Sequence, residues 1–285
     1  MYKAWKTFQP YLLATPQTLI FLMFLVFPIT MIFIVSFWEF NGYAMTPAFS
    51  FANYVNVFSS KVSLSTYLNT FKYVVLVWSA CVAIALPIAY YLAFCIERDS
   101  VRILLFLICT IPFWTSNIIR MISWIPLLGR GGLVNQALLT VGLVQEPVEW
   151  LLYSDFAIVL GMVHLFNFFM IAPVFNSMMR IDRSLITAAR DMGASGFEVL
   201  KEIILPLTAP GLAIGTIFVV TLTMGEYVTV RLMGCWQSAS VGKLISTQIG
   251  SLQYPLAAAN AVILLLITLV LVAGILRVVD IRKEL

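Results

Sequence analysis

Long apolar runs, broken by short polar stretches, set the pattern of this 285-residue chain. No Lys, Arg, Asp or Glu occurs between Lys6 and Glu39, Lys72 and Glu97, Asp155 and Arg180, Glu202 and Glu226, or Lys243 and Arg277. Each interval is long enough for a helix of about 20 residues, the length that crosses a hydrocarbon layer of about 30 Å. A sixth run, from Arg102 to Trp124, is interrupted only by Arg120. The pattern predicts an all-α, polytopic membrane protein with six spans, at about 17–38, 69–94, 102–125, 156–178, 208–232 and 255–278. Pro28, Pro87, Pro112 and Pro173 fall inside four of them and remove helix hydrogen bonds. They read either as gate elements or as static bends.

Composition narrows the class. The chain is 61% hydrophobic and 11% charged, which excludes an ordinary soluble domain, where charged residues make up about a quarter. The apolar run after Met1 to Lys6 is too long for a signal-peptide core and is kept as the first span. Orientation follows from the Lys and Arg bias of the connecting segments. With the N-terminus inside, Lys3, Lys6, Arg98, Arg102, Arg180, Arg183, Arg190, Lys201, Arg277, Arg282 and Lys283 are cytoplasmic. Lys61, Lys72, Arg120, Arg130, Arg231 and Lys243 lie on or near the other side. The eleven-to-six split places both termini in the cytoplasm. It also accounts for the net charge of +4 without a nucleic-acid partner.

Two outer segments are long. Residues 39–68 read as an ordered loop with a short helix. Residues 126–154 read as an interfacial helix carrying Leu133, Val134, Ala137, Leu138 and Val141, followed by Trp150 and Tyr153 at the level of an aromatic belt. On the cytoplasmic side, residues 180–206 predict two short amphipathic helices. Ser184 is the expected cap of the first, and Gly193 ends it as a left-handed glycine. Ser195 and Glu198 have capping-box spacing for the second, which is expected to stop at Pro206. Small Ala188 and Ala189 would let another surface approach. The pair suits helix-in-groove docking, or is simply a solvated loop.

This loop resembles the cytoplasmic motif of the permease subunits of type I ABC importers, in which Glu-Ala-Ala, three residues and Gly are followed by Ile-x-x-Pro. Here it stands as Thr187-Ala188-Ala189-Arg190-Asp191-Met192-Gly193 and Ile203-Ile204-Leu205-Pro206. Ile111 to Thr115, Leu128 to Asn135, Pro206 to Thr208 and Gly225 to Val228 are similar to the spermidine/putrescine branch. The resemblance implies a six-helix permease of the bacterial inner membrane, with the whole chain as one transmembrane domain. It implies a second permease subunit, two ATPase subunits that hold ATP and Mg2+, and an extracytoplasmic solute-binding protein. The first loop helix would be the coupling helix, in which Ala188, Ala189, Met192 and Gly193 match the motif. The family's Glu is Thr187 here, and Asp191, one turn on, is placed to take over its ion pair.

Nothing in the sequence promises chemistry of its own. Gly242-Lys243 lacks the first glycine and the hydroxyl of a phosphate-binding loop. His164 has no helical His or Glu partner for a metal and is expected to be packed and hydrogen-bonded. Cys81, Cys95, Cys109 and Cys235 form no C-x-x-C pair and read as packing residues. An intramembrane enzyme would need a convergent acid–base set, and a secondary transporter would show inverted repeats. Neither pattern is found.

For a substrate path, ionisable groups within the spans are the first candidates, because their burial in lipid is costly. They are Arg120 and Glu226, with Thr115 and Asn117 for hydrogen bonding and Trp114 and Tyr227 for cation–π contact. Glu226 would supply the counter-charge for a cationic amine. Alternatively, Arg120 and Glu226 pair with each other, or with a partner, and only hold helices together. The branch implies a polyamine; related permeases carry other small amines, amino-acid-like compounds and opines.

Overall fold

A computed structural model of the protein describes residues 14–234 and 238–279. Lys3, Lys6, Arg282, Lys283 and Cys235 lie outside the described residues. The fold is all-α apart from one two-residue-per-strand hairpin. Its helices are α1 (Ala14–Val35), α2 (Ala52–Ser59), α3 (Lys61–Cys95), α4 (Asp99–Thr110), α5 (Asn117–Leu128), α6 (Leu133–Thr140), α7 (Asp155–Met179), α8 (Arg183–Asp191), α9 (Gly196–Gly225), α10 (Val228–Met233), α11 (Val241–Gly250) and α12 (Tyr254–Val278). Five helices, α1, α3, α7, α9 and α12, are long and apolar enough to span a membrane, and a sixth span is made by a bent pair.

The chain divides into two compact units, residues 1–64 with 244–266 and residues 65–243 with 267–285. In the first, α1 presents large apolar side chains outward over its whole length. The segment after it is folded on itself. Strands β1 (Glu39–Phe40) and β2 (Met45–Thr46) pair antiparallel, Glu39 opposite Thr46. Phe37, Phe49, Phe51 and Tyr54 form one ring cluster. Asn53 Nδ2 donates to the carbonyls of Ser36 and Trp38 at 2.9 and 2.8 Å. The ordered outer loop with a short helix is therefore present, but α3 already starts at Lys61, so this connection is shorter than the apolar pattern suggested.

The second unit is built on α7. Its buried residues recur on more than one face, as expected of a helix surrounded by others. On α3, Tyr73, Val77, Cys81, Ala85 and Ala89, spaced four apart, form one fully buried stripe. Helices α7 and α9 cross closely. An added Cβ at Gly211 would lie 2.4 Å from the Pro173 carbonyl oxygen, and one at Gly215 would lie 2.6 Å from Met170 Sδ. Trp78 Nε1 on α3 donates to Thr216 Oγ1 on α9 at 2.9 Å.

Four sequence expectations are corrected. The third span is not one helix over 102–125. A turn of 3-10 helix at Ile111–Trp114 and extended backbone at Thr115 break it, and the two parts meet at 92°. Pro112 cannot donate to the Ile108 carbonyl, and past the break the Arg120 guanidinium donates to the Thr115 carbonyl at 3.1 Å. The fifth span ends at Gly225 rather than 232, because Glu226 is extended and α10 begins afresh at Val228. The helix begun at Gly196 does not stop at Pro206. A π-helical turn at Leu200–Ile204 widens the backbone ahead of the proline, and α9 runs on into the membrane span. The cap of α8 is Asp182, whose carboxylate accepts from Ser184 N–H at 2.9 Å, rather than Ser184 itself. That backbone hydrogen bond holds the Asp182 carboxyl below the usual carboxylate range.

Candidate functional site

The cytoplasmic loop is the first candidate. In α8, Thr187 Oγ1 donates to the Arg183 carbonyl at 3.1 Å, while Ala188 and Asp191 are exposed. Among the described residues Asp191 forms no ion pair. Ala189 points inward, 6% exposed, and belongs to the chain's own core, so Ala188 alone of the two small residues faces outward. Met192 is 83% exposed at the helix end. Gly193 has φ +92°, its N–H donates to the Arg190 carbonyl at 2.9 Å, and Ala194 N–H donates to that of Ala189 at 3.0 Å. These two bonds are the Schellman pattern, which needs a left-handed residue at this position. The capping box is formed as the spacing predicts. Glu198 N–H donates to Ser195 Oγ at 3.3 Å, and Ser195 N–H donates to Glu198 Oε2 at 2.7 Å. Phe197, 73% exposed, adds to the outward apolar surface.

Two arginines that the sequence reading treated only as positive-inside charges anchor this region. Arg183, the first residue of α8, donates from Nη2 to the Ala93 carbonyl at 3.1 Å. Arg102, buried at the start of α4, donates to the Leu92 and Ile96 carbonyls at 3.1 and 2.5 Å and pairs with Asp99 at 2.5 Å. Both satisfy carbonyls at the C-terminal end of α3, where the helix dipole is negative. The contacts join residues 90 positions apart in one case, and no local pattern announces them.

The substrate-path candidates fall into two clusters. In the first, Arg120 is 8% exposed and donates from Nη2 to the Thr115 carbonyl and to Asn117 Oδ1, the latter at 2.7 Å. Thr115 and Asn117 are themselves exposed, and Trp114, at the corner of the broken span, is 81% exposed. In the second, Glu226 Oε1 accepts from Thr229 N–H at 2.9 Å and from its hydroxyl at 3.3 Å, which caps α10. The Glu226 carbonyl accepts from Ser240 Oγ at 2.9 Å, and Tyr227 is 42% exposed beside it. Helices α5 and α10 pack together, yet no ion pair joins Arg120 to Glu226 among the described residues. His164 accepts from Trp124 Nε1 at its Nδ1, 2.9 Å away. No group of three or more His, Cys, Asp or Glu able to hold a metal occurs among the described residues.

Comparison with known proteins places the chain among transport permeases. It is 32% identical over 201 residues to the spermidine/putrescine transport system permease protein PotB of Escherichia coli K12, covering 70% of each chain. It is 32% identical over 198 residues to PotB of Salmonella typhimurium SL1344, covering 69% of this chain and 66% of that one. The match thus spans about two thirds of the length of these relatives. Among solved structures it is similar to a chain of the bacterial alginate ABC transporter in complex with a periplasmic protein bound to an alginate pentasaccharide. The TM-score is 0.75, with 17% identity and 95% of both chains covered. No family model matches the chain.

Proposed function

The chain belongs to the ABC importer permease family, and from that premise we propose that it is one of two permease subunits of a binding-protein-dependent importer for a small amine, with a polyamine as the leading substrate. A permease subunit is not an enzyme. The whole chain, residues 1–285, acts as one permease domain in the bacterial inner membrane, with both termini cytoplasmic. Its partner permease completes the path, a solute-binding protein delivers the substrate outside, and two ATPase subunits supply the energy inside.

The observation that carries this reading is the exposed pair α8 and α9, joined at Gly193 and continuous with a membrane span. In the proposed cycle the ATPase holds α8 at Thr187, Ala188, Asp191 and Met192, and its closure moves α9. The second support is the relatedness to PotB, whose name states its substrates. Co-purification of an ATPase subunit that is lost when residues 182–206 are replaced by an unrelated linker tests the assembly. Ion-driven uptake by this chain alone would contradict it. Competition of uptake by a panel of amines, with the matching binding protein, tests the substrate.

For the path, the proposal assigns Glu226 as the counter-charge and Trp114 and Tyr227 as aromatic faces, with Thr115, Asn117 and Arg120 lining the same route. Glu226→Gln keeps an oxygen that can accept from Thr229, so α10 stays capped and the fold is retained. A charge-assisted hydrogen bond is worth about 1.5–3 kcal/mol. The expected result is therefore a rise of about tenfold or more in the KM for putrescine uptake with unchanged yield of assembled complex. Uptake at the unaltered KM would remove Glu226 from the path.

A further inference from the structure

The corner that carries Glu226 is held by a segment 14 positions further along the chain. Helix α9 stops at Gly225 and Glu226 stands in extended backbone, and a helix that ends in this way leaves carbonyls without helical partners. Ser240 serves one of them. Its Oγ donates to the Glu226 carbonyl at 2.9 Å and accepts from Lys243 N–H at 3.2 Å, so one hydroxyl both holds the corner and caps the start of α11. The residue is 1% exposed, and water does not compete for either bond. Two positions on, Gly242 lies against the same corner. A Cβ there would be 2.7 Å from the Gly225 carbonyl oxygen and 3.1 Å from that of Glu226. A residue without a side chain lets the two backbones meet this closely. The Gly242-Lys243 pair that fails as a phosphate-binding loop thus has a separate need for its glycine. The segment is anchored in turn. Val241 N–H donates to Thr70 Oγ1 on α3 at 2.9 Å, and Lys243 Nζ donates to the Ser238 carbonyl at 2.8 Å. Ser238, Val241 and Thr70 are all buried.

What is held is the backbone, and the charge follows it. Glu226 Oε1 accepts from the Thr229 N–H and hydroxyl, in the helix that the corner leads into. Among the described residues no bond or ion pair goes to Oε2. The carboxylate is therefore tied to its own downstream turn. That turn is fixed on one side by the packing of α10 on α5 and α7, and on the other by Ser240 and Gly242. We infer that Ser240 and Gly242 are positioning residues for the substrate, which set the affinity for the amine by fixing where the Glu226 carboxylate stands. They act through Glu226 and not by contact with the solute. A hydrogen bond weakens steeply once it is stretched or bent, so a small displacement of the corner costs affinity while the route stays open. The inference rests on the reading of Glu226 as the counter-charge, and the test separates the two.

In the assembled importer, Ser240→Ala removes the hydroxyl with both of its bonds. A typical hydrogen bond corresponds to about a threefold to tenfold change in an equilibrium constant. The KM for putrescine uptake is expected to rise by that factor, with kcat and the yield of complex retained. Gly242→Ala displaces the corner with the hydroxyl in place and should raise KM likewise. Ser240→Thr keeps the hydroxyl and should recover most of the affinity. The decisive measurement is the double variant. Once Glu226→Gln has removed the charge, Ser240→Ala has nothing left to misplace, and its factor in KM should fall to about one. A factor that persists beside Glu226→Gln overturns the inference, because Ser240 then acts elsewhere. An unaltered KM in both Ser240→Ala and Gly242→Ala overturns it as well, and if Glu226→Gln alone raises KM the counter-charge reading stands without it. An unaltered KM in Glu226→Gln removes the counter-charge reading, and this inference with it. Should Ser240→Ala fail to assemble, Gly242→Ala takes its place in the cycle; loss of assembly by both makes the contact a requirement of the fold and refutes the positioning role.

Discussion

Gly193→Val is expected to abolish ATP-driven uptake while leaving the chain inserted and folded. At φ +92° a side chain meets its own backbone, a cost of about 1–2 kcal/mol for an ordinary residue and more for a β-branched one. The space around the position is open, with nothing within 4 Å of an added Cβ, so the penalty is entirely conformational. The chain relieves it by leaving the left-handed region, and the two Schellman bonds are lost with it. Helix α8 then takes a different angle to α9, and the surface formed by Ala188, Asp191, Met192 and Phe197 is no longer one rigid body. Asparagine tolerates the left-handed region, so Gly193→Asn should retain most of the uptake. The measurement is putrescine transport into proteoliposomes alongside ATPase stimulation by the binding protein. Full transport by the valine variant would refute the coupling role given to this turn.

The second large effect concerns stability. Gly211→Ala should destabilise the folded chain by about 3 kcal/mol, at the upper end for overpacking, and reduce its yield in detergent. The new methyl would lie 2.4 Å from the Pro173 carbonyl oxygen and 2.5 Å from Ser177 Cβ, and backbone on a packed helix cannot yield without moving α7. Gly215→Ala should cost less, since its nearest contact is the flexible thioether of Met170. Gly274→Ala, with nothing within 4 Å, should be neutral or slightly stabilising through helix propensity. Thermal midpoints of the three purified variants give the order directly. A Gly211→Ala chain as stable as Gly274→Ala would mean that the α7–α9 crossing is looser than described.

Legibility from sequence followed the range of the interaction. The spans were readable because lipid imposes one condition on about 20 consecutive residues, and charge-free intervals report it. The capping box of Ser195 and Glu198 and the left-handed Gly193 were readable because their partners lie within three or four positions. The ends of spans were not. Val228, Val230, Leu232 and Met233 continue the apolar run past Gly225, so hydropathy cannot register that the helix has stopped. Pro206 misleads for the opposite reason: a proline is a stop signal locally, and the widened turn that accommodates it is a property of the neighbouring backbone. The small-xxx-small pair Gly211 and Gly215 is the sequence signal of the tight crossing. At the site, Arg120 was identified by its charge alone. Its bonds to Thr115 and Asn117 and its two orphaned nitrogens depend on a break whose 92° angle no periodicity encodes.

The continuity of α9 through its π-helical turn makes it a mechanical beam. Its 30 residues, at about 1.5 Å each, span roughly 45 Å. The narrow waist at Gly211 and Gly215 acts as a fulcrum about midway along, leaving about 15 residues on the cytoplasmic arm and about 10 on the outer arm. If α9 pivots there as a rigid rod in the proposed cycle, Gly225 moves the opposite way by about two thirds as much as the inner end. Such a rod would trade amplitude for force, and under the proposed coupling the Glu226 carboxylate would move out of phase with the α8 surface.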